Sequence, residues 1–264
     1  MEITSEQLRT ATRRLRAAGC VFAEEEASLL ADAAHGGPEH LGDMVARRVE
    51  GEPLEVIVGW AMFCGQRIEV DRGVFVPRQR TAFLVEQAIS LARPGALVVD
   101  LCCGSGAIGV AVRAAVPGIT LHAADIDVAA VRCARRNVAA RGGQVHQGDL
   151  YDALPPELRG RIDLLLVNAP YVPSDEIPLM PREARDHEPR HALDGGADGV
   201  ECHRRVAASA TSWLRAGGYV LIEASLDQAS TTADVLTNVG LRTQVETSAE
   251  LYTAVVIGSR IAVA

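Results

Sequence analysis

Residues Val98-Val-Asp-Leu-Cys-Cys-Gly-Ser-Gly-Ala-Ile-Gly109 join a short apolar run to an acid and then to a glycine-rich turn. Ala96 to Val99 reads as a buried strand and Ala107 to Ala115 as a helix, which puts Gly104, Gly106 and Gly109 on a strand-to-helix turn. Glycine at such a turn lets backbone approach a ligand closely. The stretch is expected to be a ligand loop, and the chain to be built around it.

The glycines spell G-x-G-x-x-G, and a second acid, Asp125, follows at about the ~20-residue distance of dinucleotide-binding turns. Asp100 argues against a dinucleotide. An acid ending the first strand, just before the first glycine, would repel a pyrophosphate and suit a cation. S-adenosyl-L-methionine fits, with an ammonium for Asp100 and a ribose diol for Asp125. The plainer alternative is that Asp100 only caps the helix and Asp125 only ends a strand.

Charge narrows the partners. With 26 basic residues against 34 acidic ones, the net −8 offers no general attraction to a phosphate backbone, so direct nucleic-acid binding is disfavoured. No apolar run approaches the ~20 residues of a membrane span, and the first residues lack a signal-peptide pattern, so no membrane partner and a cytoplasmic location are expected. The cysteines at 20, 64, 102, 103, 133 and 202 form no C-x-x-C pair and have no histidines at zinc spacing. They read as free thiols with no metal. Adjacent Cys102 and Cys103 read as small packing residues, since a bridge between neighbours is strained.

Along the chain, Thr4 to Glu50 shows helical spacing of apolar residues in three short helices, the first capped by Ser5 and ended by Gly19. Pro53 to Val70 reads as a β-hairpin turning at Gly65, and Gln79 to Ala92 as a helix. Strands and helices then alternate: strand 96–100, helix 106–116, strand 119–124, helix 127–141, strands 144–147 and 162–167, helix 199–215, strand 218–223, helix 226–239 and closing strands 241–247 and 251–258. The expected fold is α/β, a mostly parallel seven-stranded sheet covered on both faces, with an antiparallel strand at its edge. The expected domains are a helical unit at 1–52, a hairpin linker at 53–78 and a Rossmann-like catalytic unit at 79–264.

A second constellation, Asn168-Ala-Pro-Tyr171, follows strand 162–167 and should stand at the carboxyl end of a central strand. Asn168 offers one acceptor and two donors, and Pro170 stiffens the backbone so that carbonyls can point outward. Such a site can hold an amide or an exocyclic amine, with Tyr171 as a wall. An ordinary turn is the plainer alternative.

Taken together, these motifs resemble the class I S-adenosylmethionine-dependent methyltransferases, and among them the HemK-like family that methylates protein glutamine side chains. The resemblance runs through Gly51-Glu-Pro-Leu54, Val74-Phe-Val-Pro-Arg78, Asp100 to Ile108, Asn168-Ala-Pro-Tyr-Val-Pro173 and Glu188 to Gly199. Gly217-Gly218 before a strand ending in Glu223 agrees with it. It implies that Asp100, Cys102, Gly104 and Gly106 line the methionine end of the cofactor, and Asp125 with Ile126 its ribose. Asp149 and Leu150 would border the adenine. Asn168, Ala169, Pro170 and Tyr171 would form the acceptor site, with Asn168 also beside the cofactor, and Arg190 and Asp194 would brace the neighbouring loop. The implied product is S-adenosyl-L-homocysteine. The implied partner is a protein with an exposed glutamine, such as a release factor or ribosomal protein.

The chain departs from the family at Cys102, where glycine is usual, and at Ala169, where the family has a second proline. Gln79-Arg-Thr81 replaces the usual Pro-Glu-Thr, and the tail around Glu250 lacks the family's acidic-arginine pattern. Gly142-Gly-Gln144 spells the tripeptide that release factors present to such enzymes, and reads as a coincidence in a turn. Two alternatives stay open: adenine amino methylation of DNA or RNA, and a scaffold that keeps the fold without turnover.

Overall fold

The computed structural model describes residues 3–261. Met1, Glu2 and the last three residues of the 79–264 unit lie outside the described residues. Three helices open the chain, α1 (Ser5–Ala17), α2 (Ala23–Ala33) and α3 (Pro38–Val49). Thr4, not Ser5, caps α1: its hydroxyl accepts from the Gln7 N–H while the Gln7 side chain accepts from the Thr4 N–H. The box therefore begins one residue earlier than Ser5. Leu15, Leu30 and Met44 meet in a core of their own and are almost fully buried, each worth about 1.5–3 kcal/mol.

The apolar run after Pro53 divides where a single hairpin is expected. Leu54–Val58 forms a short helix, α4, ended by Gly59 at φ 83°. Only β1 (Trp60–Phe63) and β2 (Gln66–Glu69) form the hairpin, turning at Cys64 and Gly65, both with positive φ. The reason is tertiary: Ile57 is buried, and Leu54 and Val58 pack with it on the helical core. Burial on one side of a bundle rewarded a helical turn over two-sided alternation.

Helix α5 (Ala82–Leu91) leads into the sheet. Strands β3 (Leu97–Leu101), β4 (Thr120–Asp125), β5 (Gln144–Gln147), β6 (Ile162–Val167) and β7 (Leu214–Ala224) are parallel. Helix α6 (Ala107–Ala115) follows β3 and α7 (Val128–Ala139) follows β4, no α-helix separates β5 from β6, and both α8 (Arg182–His187) and α9 (Glu201–Trp213) lie between β6 and β7. After α10 (Ala229–Asn238) come β8 (Arg242–Ser248) and β9 (Thr253–Ser259). The order is β5-β4-β3-β6-β7-β9-β8, with β9 antiparallel to both neighbours at that end of the sheet. Strand β7 starts earlier than the expected 218, at Leu214, and its pairing with β6 is irregular between Ile162 and Leu164.

This order creates one switch point. From β3 the chain runs outward through β4 and β5, then returns to lay β6 on the other side of β3. Leu101 pairs with Val167. Cys102 and Asn168, the next residue on each strand, therefore leave the sheet side by side.

Candidate active site

A cavity of about 630 Å³ opens at this switch point. It brings together Cys102, Gly104, Asp125, Ile126, Asp149, Leu150, Asn168, Ala169, Pro170 and Tyr171. Asp100 and Gly106 do not line it, contrary to the expected direct role of both at the ligand.

Asp100 lies fully buried beneath the glycine loop. Its Oδ2 accepts from the Gly109 N–H at 2.9 Å, whereas Oδ1 has no partner. Burial lifts its carboxyl to about 7, with the nearby Asp125 adding to the shift and the Gly109 N–H opposing it. Gly106 is needed for fit: at φ +78°, a Cβ there would come 2.6 Å from Val138 Cγ2 on α7. At Gly104 the added atom would meet nothing closer than the Phe75 carbonyl at 4.0 Å, so the space above that turn is open for a ligand.

Asp125 ends β4 at the cavity wall. Its Oδ2 accepts from the Gly104 N–H and its Oδ1 from the Asp127 N–H, each at 2.9 Å. Burial raises its pKa while these two donors oppose the rise. Asp149, just past the end of neighbouring β5, also lines the cavity and pairs with Arg205 at 2.6 Å. Cys102 holds a left-handed φ of 56°. A hydrogen shared with Cys202, followed by burial, pushes its thiol well above the ordinary range. Its partner in space is Cys202 on α9, not adjacent Cys103.

At the other end, Asn168 Nδ2 donates to Thr81 Oγ1 at 3.3 Å, which leaves Oδ1 free to accept. The loop from Glu188 to Gly199 wraps Asn168-Ala-Pro-Tyr171 from outside. Val172 N–H donates to Leu193 O, and Gly195 N–H donates to Val172 O. A Cβ on Gly195 would come 2.7 Å from Tyr171 Cα. Asp194 accepts from Ser174 Oγ at 2.5 Å and from Arg190 Nε at 3.1 Å, so Arg190 and Asp194 do brace this loop. Gln228 Nε2 holds the Tyr171 carbonyl at 2.8 Å.

Several residues here escaped the sequence reading as site residues. Glu188, buried, ties the linker to this loop through the Val76 N–H at 3.2 Å and Arg78 Nη2 at 2.7 Å. Glu223, at the end of β7, is also buried and faces Thr81, Arg80 and Tyr171, and neither of its oxygens lies within hydrogen-bond reach of a partner among the described residues. Its pKa is raised by burial. Burial and Glu223 together push the Tyr171 hydroxyl up to about 12. Arg80 packs its Cζ 5.6 Å from the Tyr171 ring centre. The available signal was a charged residue closing the apolar run Tyr219 to Ile222.

Comparison with known proteins finds methyltransferases. The family model "Methyltransferase small domain" matches residues 65–180. A "Release factor glutamine methyltransferase" of Streptomyces coelicolor is 37% identical over 240 residues, covering 84% of this chain and 85% of that protein. A "4-amino-L-phenylalanine/4-methylamino-L-phenylalanine methyltransferase" of Streptomyces pristinaespiralis is 37% identical over 230 residues, covering 84% and 77%. A methyltransferase structure from Pyrococcus furiosus superposes with a TM-score of 0.57 at 15% identity, covering 75% of this chain and 90% of that one. This last likeness concerns the fold alone.

Proposed function

Because the chain belongs to the same family as the release factor glutamine methyltransferases, we propose that it methylates the side-chain amide nitrogen of a glutamine presented by a protein, using S-adenosyl-L-methionine. The observation that carries this reading is Asn168, fixed by Thr81 and standing beside the loop after β3 at the sheet's switch point. A release factor is the first acceptor to test.

The residues present suit the cofactor. The turn at Gly104 is open, Asp125 offers carboxylate oxygens at the wall for a ribose diol, and Ile126, Asp149 and Leu150 supply a mixed apolar and polar rim for adenine. Asp100 acts from beneath, holding the loop through Gly109, and the orphaned Oδ1 leaves negative potential under the methionyl end. When bound, S-adenosyl-L-methionine supplies a methyl group on a sulfonium that leaves as the neutral thioether of S-adenosyl-L-homocysteine.

An amide nitrogen is a poor nucleophile because its lone pair is delocalised into the carbonyl. Asn168 Oδ1 and the Ala169 carbonyl accept the two amide hydrogens, which orients that lone pair toward the methyl. Pro170 has no N–H to offer a neighbouring strand, so the backbone here stays available to the acceptor. Tyr171 stays protonated and forms the wall. No acid is needed at the leaving group, and the nitrogen gives up one of its two hydrogens as a proton to solvent once the N–C bond has formed; orientation and water exclusion dominate, and positioning is worth roughly 7–11 kcal/mol.

The test is calorimetric titration with S-adenosyl-L-methionine and its demethylated product, followed by a labelled-methyl assay on release factors and whole ribosomes. Label on a glutamine supports the reading. Cofactor binding with no labelled glutamine in either substrate sinks it. Label on adenine would favour nucleic-acid methylation, against which the net charge of −8 counts. A second reading is methyl transfer to the amine of a free amino acid, of the kind named for the Streptomyces pristinaespiralis relative. Arg80 favours it, a cation where the family pattern has an acid.

A further inference from the structure

The cavity wall carries three arginines, and they are not equivalent. Arg78 pairs with Glu188 at 2.7 Å and Arg205 with Asp149 at 2.6 Å. Arg80 has only Glu223 as a carboxylate partner among the described residues, and its Nε is 3.6 Å from Oε1, beyond hydrogen-bond reach. The Glu223 side chain is 1% exposed and the Arg80 side chain 44%. Arg80 lines the cavity, and Glu223, buried next to it, does not. The Tyr171 ring lies alongside Arg80, and Thr81, the next residue, holds Asn168.

A guanidinium carries five N–H donors in a planar fork that matches a carboxylate with two parallel hydrogen bonds. Here one edge is drawn toward a buried acid and one face lies 5.6 Å from an aromatic ring centre, which narrows the positions open to the fork before a ligand arrives. Preorganisation of this kind lowers the ordering cost of binding. Among the other charged residues lining the cavity, Asp149 is paired with Arg205 and Asp194 with Arg190, and Arg80 stands at the Asn168 end. A neutral acceptor has no use for such a cation, and a cationic one would be repelled by it.

We propose that Arg80 is a carboxylate-recognition residue of the acceptor site, so that the nitrogen held at Asn168 belongs to a molecule with a free carboxylate close by. The inference rests on the methyl-transfer reading and specifies its substrate class. The carboxylate comes either from an acidic residue beside a glutamine in a protein or from the α-carboxylate of a free amino acid. Both sources share the chemistry that Arg80 reads. Glu223 is a positioning residue, aligning Arg80 from behind.

Equilibrium binding to the full chain saturated with S-adenosyl-L-homocysteine tests this without turnover. One probe pair is a terminally blocked Gly-Gly-Gln-Glu peptide against Gly-Gly-Gln-Gln. The other is 4-amino-L-phenylalanine against its carboxamide. The expected result is at least tenfold tighter binding of the carboxylate member in one pair, and which pair it is identifies the source. Arg80→Met should reduce that ratio to near one, Arg80→Lys should leave a ratio between the two, and both should bind S-adenosyl-L-homocysteine within twofold of the parent. Arg80→Lys provides the reading should Arg80→Met fail to fold. Equal binding within both pairs, no binding of either carboxylate probe, or a ratio that survives Arg80→Met overturns the proposal. Methyl transfer is scored separately. A carboxylate preference with no transfer to any nitrogen would leave the anion site standing and sink the methyl-transfer reading.

Discussion

The two ends of the cavity are built by different means. The glycine-loop end is made largely of backbone and buried acids: Asp100 holds Gly109, Asp125 holds Gly104, and Gly106 packs against Val138 with no room for a side chain. The Asn168 end is assembled from side chains of five separate segments: the stretch before α5 (Arg78, Arg80, Thr81), the turn after β6, the loop with Glu188 and Asp194, the end of β7 and Gln228. The first end is built from two successive strand-and-helix units, β3–α6 and β4–α7. The second depends on distant segments arriving together.

Substitutions should separate the two ends, affinity for the cofactor at one and turnover at the other. The largest effect is expected for Asn168→Ala, which should lower kcat for methyl transfer by about 10²–10³-fold while S-adenosyl-L-methionine affinity stays nearly intact. A comparable loss of cofactor binding by calorimetry would erase the distinction. Gly106→Ala places a methyl 2.6 Å from Val138 Cγ2 at a left-handed φ, and overpacking with backbone strain should cost on the order of 2–4 kcal/mol in thermal or urea unfolding. Unchanged stability would mean that α7 yields easily. Asp125→Ala should weaken the cofactor by about 1–3 kcal/mol, the value of hydrogen bonds to a charged acceptor, and leave kcat at saturation little changed. Full affinity would remove the ribose from Asp125.

A smaller effect is expected from pH. The Asp100 carboxyl titrates near 7 in the fold and at the ordinary carboxylate value, close to 4, in the unfolded chain. Between those values the native state binds the extra proton, so this group's contribution falls as pH rises from about 4 to about 7 and is constant above. The melting temperature of Asp100→Asn should therefore decline less than the parent's across that window, by a few degrees. Parallel curves would show that Asp100 ionises as easily in the fold as outside it. The smallest effect is expected for Cys102→Gly. Relief of the positive φ is offset by lost packing and a more flexible unfolded chain, so stability should shift by less than about 1 kcal/mol. A large gain in cofactor affinity would show that the thiol narrows the cleft.

Much of this was legible in the residue pattern. The alternation from Ala96 onward, the ligand turn and the Asn168 motif are local signals, and each emerged within a few residues of its expected place. The segment Leu54–Val58 was misread because a short apolar run suits a strand or a helix equally until its packing partner is known. The setting of Asp100 was hidden for a similar reason. Spacing put an acid at the turn, and whether it faces the ligand or the loop's underside depends on which side of β3 is covered. The nearness of Cys102 to Cys202 rather than Cys103 had no sequence signal at all.

The sequence by itself determined the α/β sheet, the glycine turn, the acid that ends β4 and the amide-holding motif after β6, because period, glycine and proline act over a few neighbouring bonds. Only the tertiary structure decided that Asn168 stands beside Cys102, that Thr81 orients it and that Arg80 fronts a buried Glu223. Those pairings join residues far apart in the chain, and they exist because the β3–β6 switch point brings the strand ends to one place.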